Sequence, residues 1–181
     1  AGIYFQRDAP EQASAYLERS LMLREQIGDV VAVARSYNNL GLLSWKKGDL
    51  ASALENFTHS FELQSNLGDV EGVIELHTNM GLIEMDRGNL EDSERHFQHA
   101  LEMAGQIGHL YHVSLARLHL SLLNLYAGNW HKVLDYAQSS LRGFQELRVT
   151  EHLIDLTMLF GWAYLGLGDE GHLEDALNRL D

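Results

Sequence analysis

Glycine-containing turns recur through this sequence at a fixed interval. One set is Gly28-Asp29-Val30, Gly68-Asp69-Val70 and Gly108-His109-Leu110, and a second is Gly48-Asp49-Leu50, Gly88-Asn89-Leu90 and Gly128-Asn129-Trp130. Each set repeats every 40 residues, and the two sets lie 20 residues apart. Glycine can take the left-handed conformation that ends a helix, and a following Asp or Asn can accept hydrogen bonds from the free N–H groups of the next helix. The spacing therefore predicts helices of similar length joined by short turns.

The segments between these turns have helical periodicity. Apolar residues follow one helix face in Leu54, Phe57 and Phe61, and polar residues separate them. Pro10 is the only proline, whereas a sheet-rich chain of 181 residues would normally use more at its turns and edges. We therefore expect an all-α protein. A fixed period of this length predicts an array in which each helical hairpin buries its apolar face by stacking on its neighbours. The period alone would also admit HEAT or armadillo units.

Particular residues within the repeat carry a family resemblance. Tyr37-x-x-Leu40-Gly41-x-x-Ser44, followed by Ala53-x-x-x-Phe57, resembles the tetratricopeptide pattern, with small residues where two helices cross. The pattern recurs as Met80-Gly81 with Phe97 and Ala100, and as Phe160-Gly161-x-x-Tyr164. The resemblance implies a right-handed superhelical solenoid of antiparallel helix pairs. Its 40-residue period is similar to that of Pins-type polarity adaptors and MalT-type bacterial regulators.

The repeat defines the expected domain organisation. We predict one repeat domain over residues 1–181: a partial hairpin at 1–28, hairpins at 29–68, 69–108 and 109–148, and a truncated last hairpin at 149–181. Residues 1–7 resemble the last turns of a first helix, and residues 172–181 resemble a second helix that ends early. Because polar capping helices are not evident at either end, we expect a fragment of a larger protein.

Charge and composition exclude several classes of function. The net charge of −13 repels nucleic acid and anionic lipid, and Lys46-Lys47 is the only adjacent basic pair. The chain has no cysteine, which excludes disulfides, thiolate nucleophiles and cysteine-based zinc sites. No apolar run approaches the roughly 20 residues that span a bilayer, and no signal segment is evident. We expect a cytoplasmic protein whose present chain binds neither nucleic acid nor membrane.

The family resemblance implies a peptide-binding groove lined by the first helix of each hairpin. The implied residues are Arg35, Asn38, Asn39, Leu42, Trp45, Glu75, Thr78, Asn79, Leu82, Met85, Leu115, Leu118, Leu122, Asp155, Met158 and Trp162. Asn39 and Asn79 resemble the asparagines that hydrogen-bond the backbone of a bound peptide in related proteins, since an amide both donates and accepts. The alternative is that these amides bond a neighbouring helix backbone or water.

The segment from Leu110 to Tyr126 carries leucine around nearly its full circumference. A helix of this kind is usually buried on every side. One interpretation is that neighbouring helices cover it completely. The other is that Leu115, Leu118 and Leu122 form the apolar floor of a groove that receives a partner.

The sequence offers little catalytic or metal-binding chemistry. His96 with His99 and His109 with His112 could each place two imidazoles on one helical turn, but a complete metal site needs three or four ligands. We interpret these histidines as surface residues and predict no metal and no cofactor. Carboxylate pairs such as Glu91-Asp92 fit the first turns of helices, where they complement the helix dipole. Neither a glycine-rich phosphate loop nor a recognisable Ser/His/Asp set is present.

These observations favour a non-catalytic module that binds a protein or peptide in its concave groove. The alternative is a sensory or regulatory arm of a multidomain bacterial signalling protein or transcription regulator, in which a ligand or partner alters the superhelix. Self-association through incompletely covered helix faces is a further expectation.

Overall fold

The computed structural model describes the backbone of residues 10–168, with side chains from residue 13 onward. Helices account for nearly all of this range: α1 Pro10–Ile27, α2 Val30–Lys46, α3 Leu50–Leu67, α4 Val70–Asp86, α5 Leu90–Gln106, α6 Leu110–Tyr126, α7 Trp130–Leu147 and α8 Leu153–Leu167. No strand occurs among these residues. The all-α prediction and the repeating turns are confirmed. The helices predicted for residues 1–7 and 172–181 lie outside the described residues.

The turns confirm the role assigned to glycine. Positive φ angles of 68° to 81° occur at Gly28, Gly48, Gly68, Gly88, Gly108, Gly128 and Gly168. Asp29, Asp49 and Asp69 then cap the following helices, because each accepts a hydrogen bond from the backbone N–H three residues later. The predicted asparagine caps are wrong, since Asn89 and Asn129 make no side-chain cap bond.

The turn between α7 and α8 departs from the repeat. Arg148 occupies the position of the turn glycine and is left-handed, with φ 57°. Helix α8 begins only at Leu153, so the turn is longer than the others. Tyr111 on α6 stabilises it by donating a 3.0 Å hydrogen bond from its hydroxyl to Glu151 Oε1, and His152 Nε2 lies 3.3 Å from the same oxygen.

The helices fall into two compact units. Unit 1 comprises Ala1–Gly88 and unit 2 comprises Asn89–Asp181, so the boundary falls inside the predicted hairpin 69–108. In unit 1 α1 packs against α2, α2 against α3, and α3 against α4. Its cores consist of Ala53, Phe57, Leu76, Met80 and Ile83, and of Ala13, Leu17 and Leu43.

Unit 2 contains a larger cluster of buried apolar residues. In this unit α5, α6, α7 and α8 pack consecutively, and α6 also contacts α8. The cluster consists of Leu118, Val133, Ala137, Phe144, Leu156, Leu159, Phe160 and Ala163. It lies among α6, α7 and α8, and therefore fixes the first helices of two successive hairpins against each other.

Two kinds of contact join the helices of a hairpin. A Cβ built on Gly41 would lie 2.6 Å from Phe57 Cδ1, so the absence of a side chain allows α2 and α3 to approach closely, as the sequence pattern predicts. Buried Ser60 donates a 2.8 Å hydrogen bond to the carbonyl of Ala34, and Ser140 makes the same 2.8 Å bond to the carbonyl of Ser114. Each unit therefore contains a buried polar link between its paired helices.

Candidate binding surfaces

The predicted groove residues of unit 1 lie along α2 and α4. Arg35, Asn39 and Glu75 are exposed, and Asn38, Leu42, Trp45, Asn79, Leu82 and Met85 are half-buried. Thr78 is buried, and its hydroxyl donates to the carbonyl of Ile74. Thr78 therefore has no surface to offer a partner, in contrast to the sequence expectation.

Trp45 and Asp86 link α2 to α4 within unit 1. The indole Nε1 of Trp45 donates a 2.7 Å hydrogen bond to Asp86 Oδ2, and the Trp45 ring packs against the core cluster of this unit. The indole is thus already oriented and its donor is engaged. Asp86 was not predicted, because it lies 41 residues after Trp45 in the sequence. The two residues meet only where the ends of α2 and α4 come together in the fold.

Polar groups on this face retain unused hydrogen-bonding capacity. The Oδ1 atom of Asn38 is buried and accepts no hydrogen bond from any residue that the structure describes. Asn39 follows it on α2 and is exposed. Because burying an unsatisfied amide oxygen costs free energy, a donor from a bound partner would stabilise Asn38.

The electrostatic environment of α4 is acidic. Partial desolvation raises the pKa of Glu75 above its usual value, and the nearby carboxylates of Glu71 and Asp69 raise it further. Arg35 is exposed at the corresponding position of α2. A cationic group beside Glu75 would relieve the repulsion among these carboxylates.

In unit 2 the predicted leucine floor belongs largely to the core. Leu118 is 5% exposed and lies within the buried cluster, and Leu115 and Leu122 are half-buried against that cluster. Of the two interpretations of the leucine-rich helix, burial by neighbouring helices therefore holds for Leu118. Helix α6 has the bounds that its sequence indicated, Leu110–Tyr126.

Helix α8 presents a row of exposed apolar side chains. The exposed fractions are 74% for Ile154, 53% for Met158, 59% for Trp162 and 55% for Leu165. Spacings of four, four and three residues place them on one side of the helix, and the exposed Asp155 lies beside them. Ile154 was missing from the predicted set, although its spacing from Met158 was a usable signal.

His119 is a further residue that the sequence interpretation missed. It stands 40 residues after Asn79 in the repeat, at the position of the two predicted asparagines. Its ring stacks on Phe97 at a centroid distance of 5.2 Å, and its Nδ1 atom is buried without a hydrogen-bond partner among the described residues. Burial, with a smaller contribution from His152, lowers the pKa of His119 to about 4. The imidazole is therefore neutral at physiological pH.

The paired histidines need one correction. His112 is buried rather than on the surface, whereas His99 is exposed and His96 half-buried. His109 replaces the turn aspartate, and its Nδ1 accepts a 3.4 Å hydrogen bond from the backbone N–H of His112. The two rings lie 4.4 Å apart because of this capping arrangement.

The family of the chain follows from a family-model comparison. The model for the tetratricopeptide repeat matches residues 1–66 and 72–146, which is more than half of the chain. No curated protein sequence matches significantly. Among residues 10–168, no helix is long and apolar enough to cross a lipid bilayer.

Several solved structures share the fold. A Signal Transduction ATPase with Numerous Domains (STAND) protein with a tetratricopeptide repeat sensor, from Pyrococcus horikoshii, gives a TM-score of 0.82 at 21% identity. The match covers 97% of this chain but only 27% of that protein. The TPR-like repeats of a protein described as a kinesin light chain, from Podospora anserina, give a TM-score of 0.73 at 12% identity and cover 98% of this chain and 88% of the other. BtubC from P. vanneervenii gives a TM-score of 0.68 at 14% identity, and the match covers 95% of this chain and 89% of BtubC.

Tetratricopeptide repeats generally mediate interactions between proteins, and the fold is typically non-catalytic. The repeating turns, the close contact of Gly41 with Phe57 and the family-model match agree with one another. The chain belongs to the tetratricopeptide repeat family.

Proposed function

We propose that this chain is a non-catalytic interaction module that binds a protein or peptide on the groove-facing sides of its first helices. The observation that carries the proposal is the apolar row on α8, in which Ile154, Met158, Trp162 and Leu165 are each more than half exposed. Large exposed apolar patches on water-soluble surfaces commonly mark interaction sites, because covering them removes apolar area from water.

Unit 1 supports the same proposal with different chemistry. Its groove-facing side offers the amides of Asn38 and Asn39 and the carboxylate of Glu75. Amide groups suit an extended peptide backbone, and the acidic environment of Glu75 favours a cationic side chain on the partner. We therefore propose backbone and cation recognition by unit 1 and apolar recognition by unit 2.

Peptide selection followed by direct binding measurements tests this proposal. Peptides selected by phage display on the wild-type chain are titrated against Met158→Glu/Trp162→Glu and Asn39→Ala/Asn79→Ala variants. We expect at least about a tenfold loss of affinity with one of the pairs, because a buried charge or a lost amide pair weakens such contacts by a kcal/mol or more.

Tyr126→Glu is the matched control, because Tyr126 is 67% exposed but lies outside the predicted groove. Circular dichroism verifies that all variants remain helical. Peptides that bind every variant as tightly as the wild type would contradict the groove proposal. Leu118 is unsuitable for this test because a charge there would disrupt the core.

A sensory or regulatory arm of a multidomain signalling protein is the second candidate. It is favoured by the fold similarity to the STAND protein with a tetratricopeptide repeat sensor, of which this chain spans 27%. The sequence of the parent gene tests it: an adjoining nucleotide-binding or DNA-binding domain would support the arm, and an isolated repeat domain would oppose it. We also propose a right-handed superhelix, a cytoplasmic location and self-association through incompletely covered helix faces.

A further inference from the structure

Unit 2 contains a cavity of about 240 Å³ beside the turn that joins α6 to α7. We call it the turn cavity. It is open to solvent on one side and borders the first turns of α5, and its polar and small lining residues are Glu91, Glu94, Asn124, Ala127, Asn129 and Lys132. None of these residues belongs to the groove considered above.

The 40-residue repeat shows what occupies the corresponding position in unit 1. Glu84 and Arg87 precede Asn124 and Ala127 by one repeat. There the Nη1 of Arg87 donates a 2.9 Å hydrogen bond to Glu84 Oε1, and Glu84 is buried. In unit 2 an amide replaces the carboxylate and a methyl group replaces the guanidinium. Unit 2 therefore lacks the guanidinium that unit 1 places beside Glu84.

The floor of the turn cavity is an ordered amide. Asn124 is 4% exposed. Its Nδ2 donates a 2.8 Å hydrogen bond to the carbonyl of Leu120, and its Oδ1 accepts a 3.3 Å hydrogen bond from Asn129 Nδ2. A carbonyl oxygen has two lone pairs, so Oδ1 can accept a second hydrogen bond from a ligand. These contacts orient the amide before any ligand binds.

The sides of the turn cavity carry charges of opposite sign. Glu91 and Glu94 supply carboxylates from α5, and Lys132 supplies an ammonium group from α7. No ion pair engages these three side chains among the residues that the structure describes. A guanidinium group pairs well with carboxylates through parallel N–H donors, and an ammonium group pairs with a carboxylate.

We propose that the turn cavity binds a small zwitterion that carries a guanidinium and a carboxylate, with free arginine as the simplest example. The guanidinium takes the place of the missing arginine side chain between the glutamates and Asn124, and the carboxylate meets Lys132. This site does not depend on the groove proposal, because the two share no residue.

Titration of the full chain by NMR, with calorimetry, tests the proposal. The ligands are L-arginine, its neutral analogue L-citrulline, and agmatine, which lacks the carboxylate. We expect arginine to bind with a Kd on the order of 1 mM, as suits a ligand of this size, and to shift amide resonances around residues 124–132. Citrulline should bind at least about tenfold more weakly, and agmatine several-fold more weakly.

The repeat also supplies a matched variant. Asn124→Glu/Ala127→Arg rebuilds the ion pair of unit 1 inside the turn cavity, and should abolish arginine binding while keeping the fold. Glu94→Gln should weaken binding about fivefold or more, and Glu146→Gln, at an exposed site outside the cavity, should leave it unchanged. Lys132→Met should remove the preference for arginine over agmatine.

Equal binding of arginine and citrulline would overturn the proposal, as would unchanged binding by the Asn124→Glu/Ala127→Arg variant. Shifts spread over all acidic surfaces would indicate non-specific attraction to a chain of net charge −13 and would also overturn it. If the double variant unfolds by circular dichroism, the Glu94→Gln and Glu146→Gln pair decides the question.

Discussion

Trp45 Nε1 donates a 2.7 Å hydrogen bond to Asp86 Oδ2, and this bond joins the ends of α2 and α4 in unit 1. The Trp45 ring packs at the same time against the core that contains Phe57 and Ile83. One side chain thus contributes both to the core and to the spacing between two successive first helices. In the next repeat the corresponding residues are Met85 and Tyr126, which cannot form this bond.

Loss of this bond should destabilise the chain measurably. We expect Trp45→Phe and Asp86→Ala each to reduce the free energy of unfolding by about 1 kcal/mol or more, since a hydrogen bond to a charged acceptor is lost. Urea unfolding of both single variants and of the double variant gives their coupling. If the loss of unfolding free energy in the double variant equals the sum of the losses in the two single variants, the bond contributes nothing to stability.

Gly41 and Gly161 occupy the same repeat position and should respond oppositely to alanine. A Cβ at Gly41 would lie 2.6 Å from the Phe57 ring, whereas a Cβ at Gly161 would meet no atom within 4 Å from elsewhere in the part of the chain that the structure describes. We expect Gly41→Ala to destabilise the protein by about 1–3 kcal/mol through overpacking. Gly161→Ala should stabilise it by roughly 0.5–1 kcal/mol, because alanine favours the helix. Thermal unfolding of both variants provides the comparison, and a similar sign for both would contradict the structure.

Arg148 should be a site where glycine is stabilising. It adopts a left-handed conformation, φ 57°, that glycine occupies at the corresponding positions Gly68 and Gly108. We expect Arg148→Gly to raise the free energy of unfolding by about 1 kcal/mol, since the left-handed backbone is costly for a residue with a Cβ. Gly68→Ala is the reciprocal control and should lower it. Chemical denaturation of the two variants gives both values, and destabilisation by Arg148→Gly would refute the prediction.

Acidification should destabilise the protein through His119. Its folded-state pKa of about 4 lies below the ordinary value of 6.5, so the unfolded state binds the proton more readily. Its contribution is therefore fully present above pH 6.5 and is lost progressively as the pH falls towards 4. At about pH 4.5 we expect a loss of about 2 kcal/mol relative to neutral pH.

The variant His119→Gln should lack this part of the pH dependence. His131→Gln, at an exposed histidine, should keep it. Urea unfolding at pH 7.5 and at pH 4.5 measures the difference for each protein. An unchanged pH dependence in His119→Gln would show that the imidazole is not buried in solution.

The local elements were predictable because they depend on short-range chemistry. The left-handed glycines and the aspartate caps follow from conformational and hydrogen-bonding preferences of single residues, and both are observed. The late start of α8 was not predicted. There Arg148 replaces the turn glycine, and the longer turn is stabilised by Tyr111, a residue distant in sequence.

The candidate surfaces were only partly predictable, since exposure depends on what covers each side chain. The repeat register predicted a set of groove-facing positions, but it could not separate Leu118, which the core buries, from Trp162, which stays 59% exposed. Nor could it reveal His119 as a half-buried, neutral imidazole, because that state depends on Phe97 and on the surrounding helices.

The sequence by itself determined the helical repeat, the positions of most turns and the family, because glycine geometry, capping and apolar periodicity act within a few residues of each position. The tertiary structure alone decided which repeat positions are buried, that Trp45 bonds Asp86, and that a cavity lies beside Asn124 and Ala127, the residues at the repeat positions of Glu84 and Arg87. These features require side chains from helices that lie far apart in the chain, so their energies depend on packing rather than on local preference.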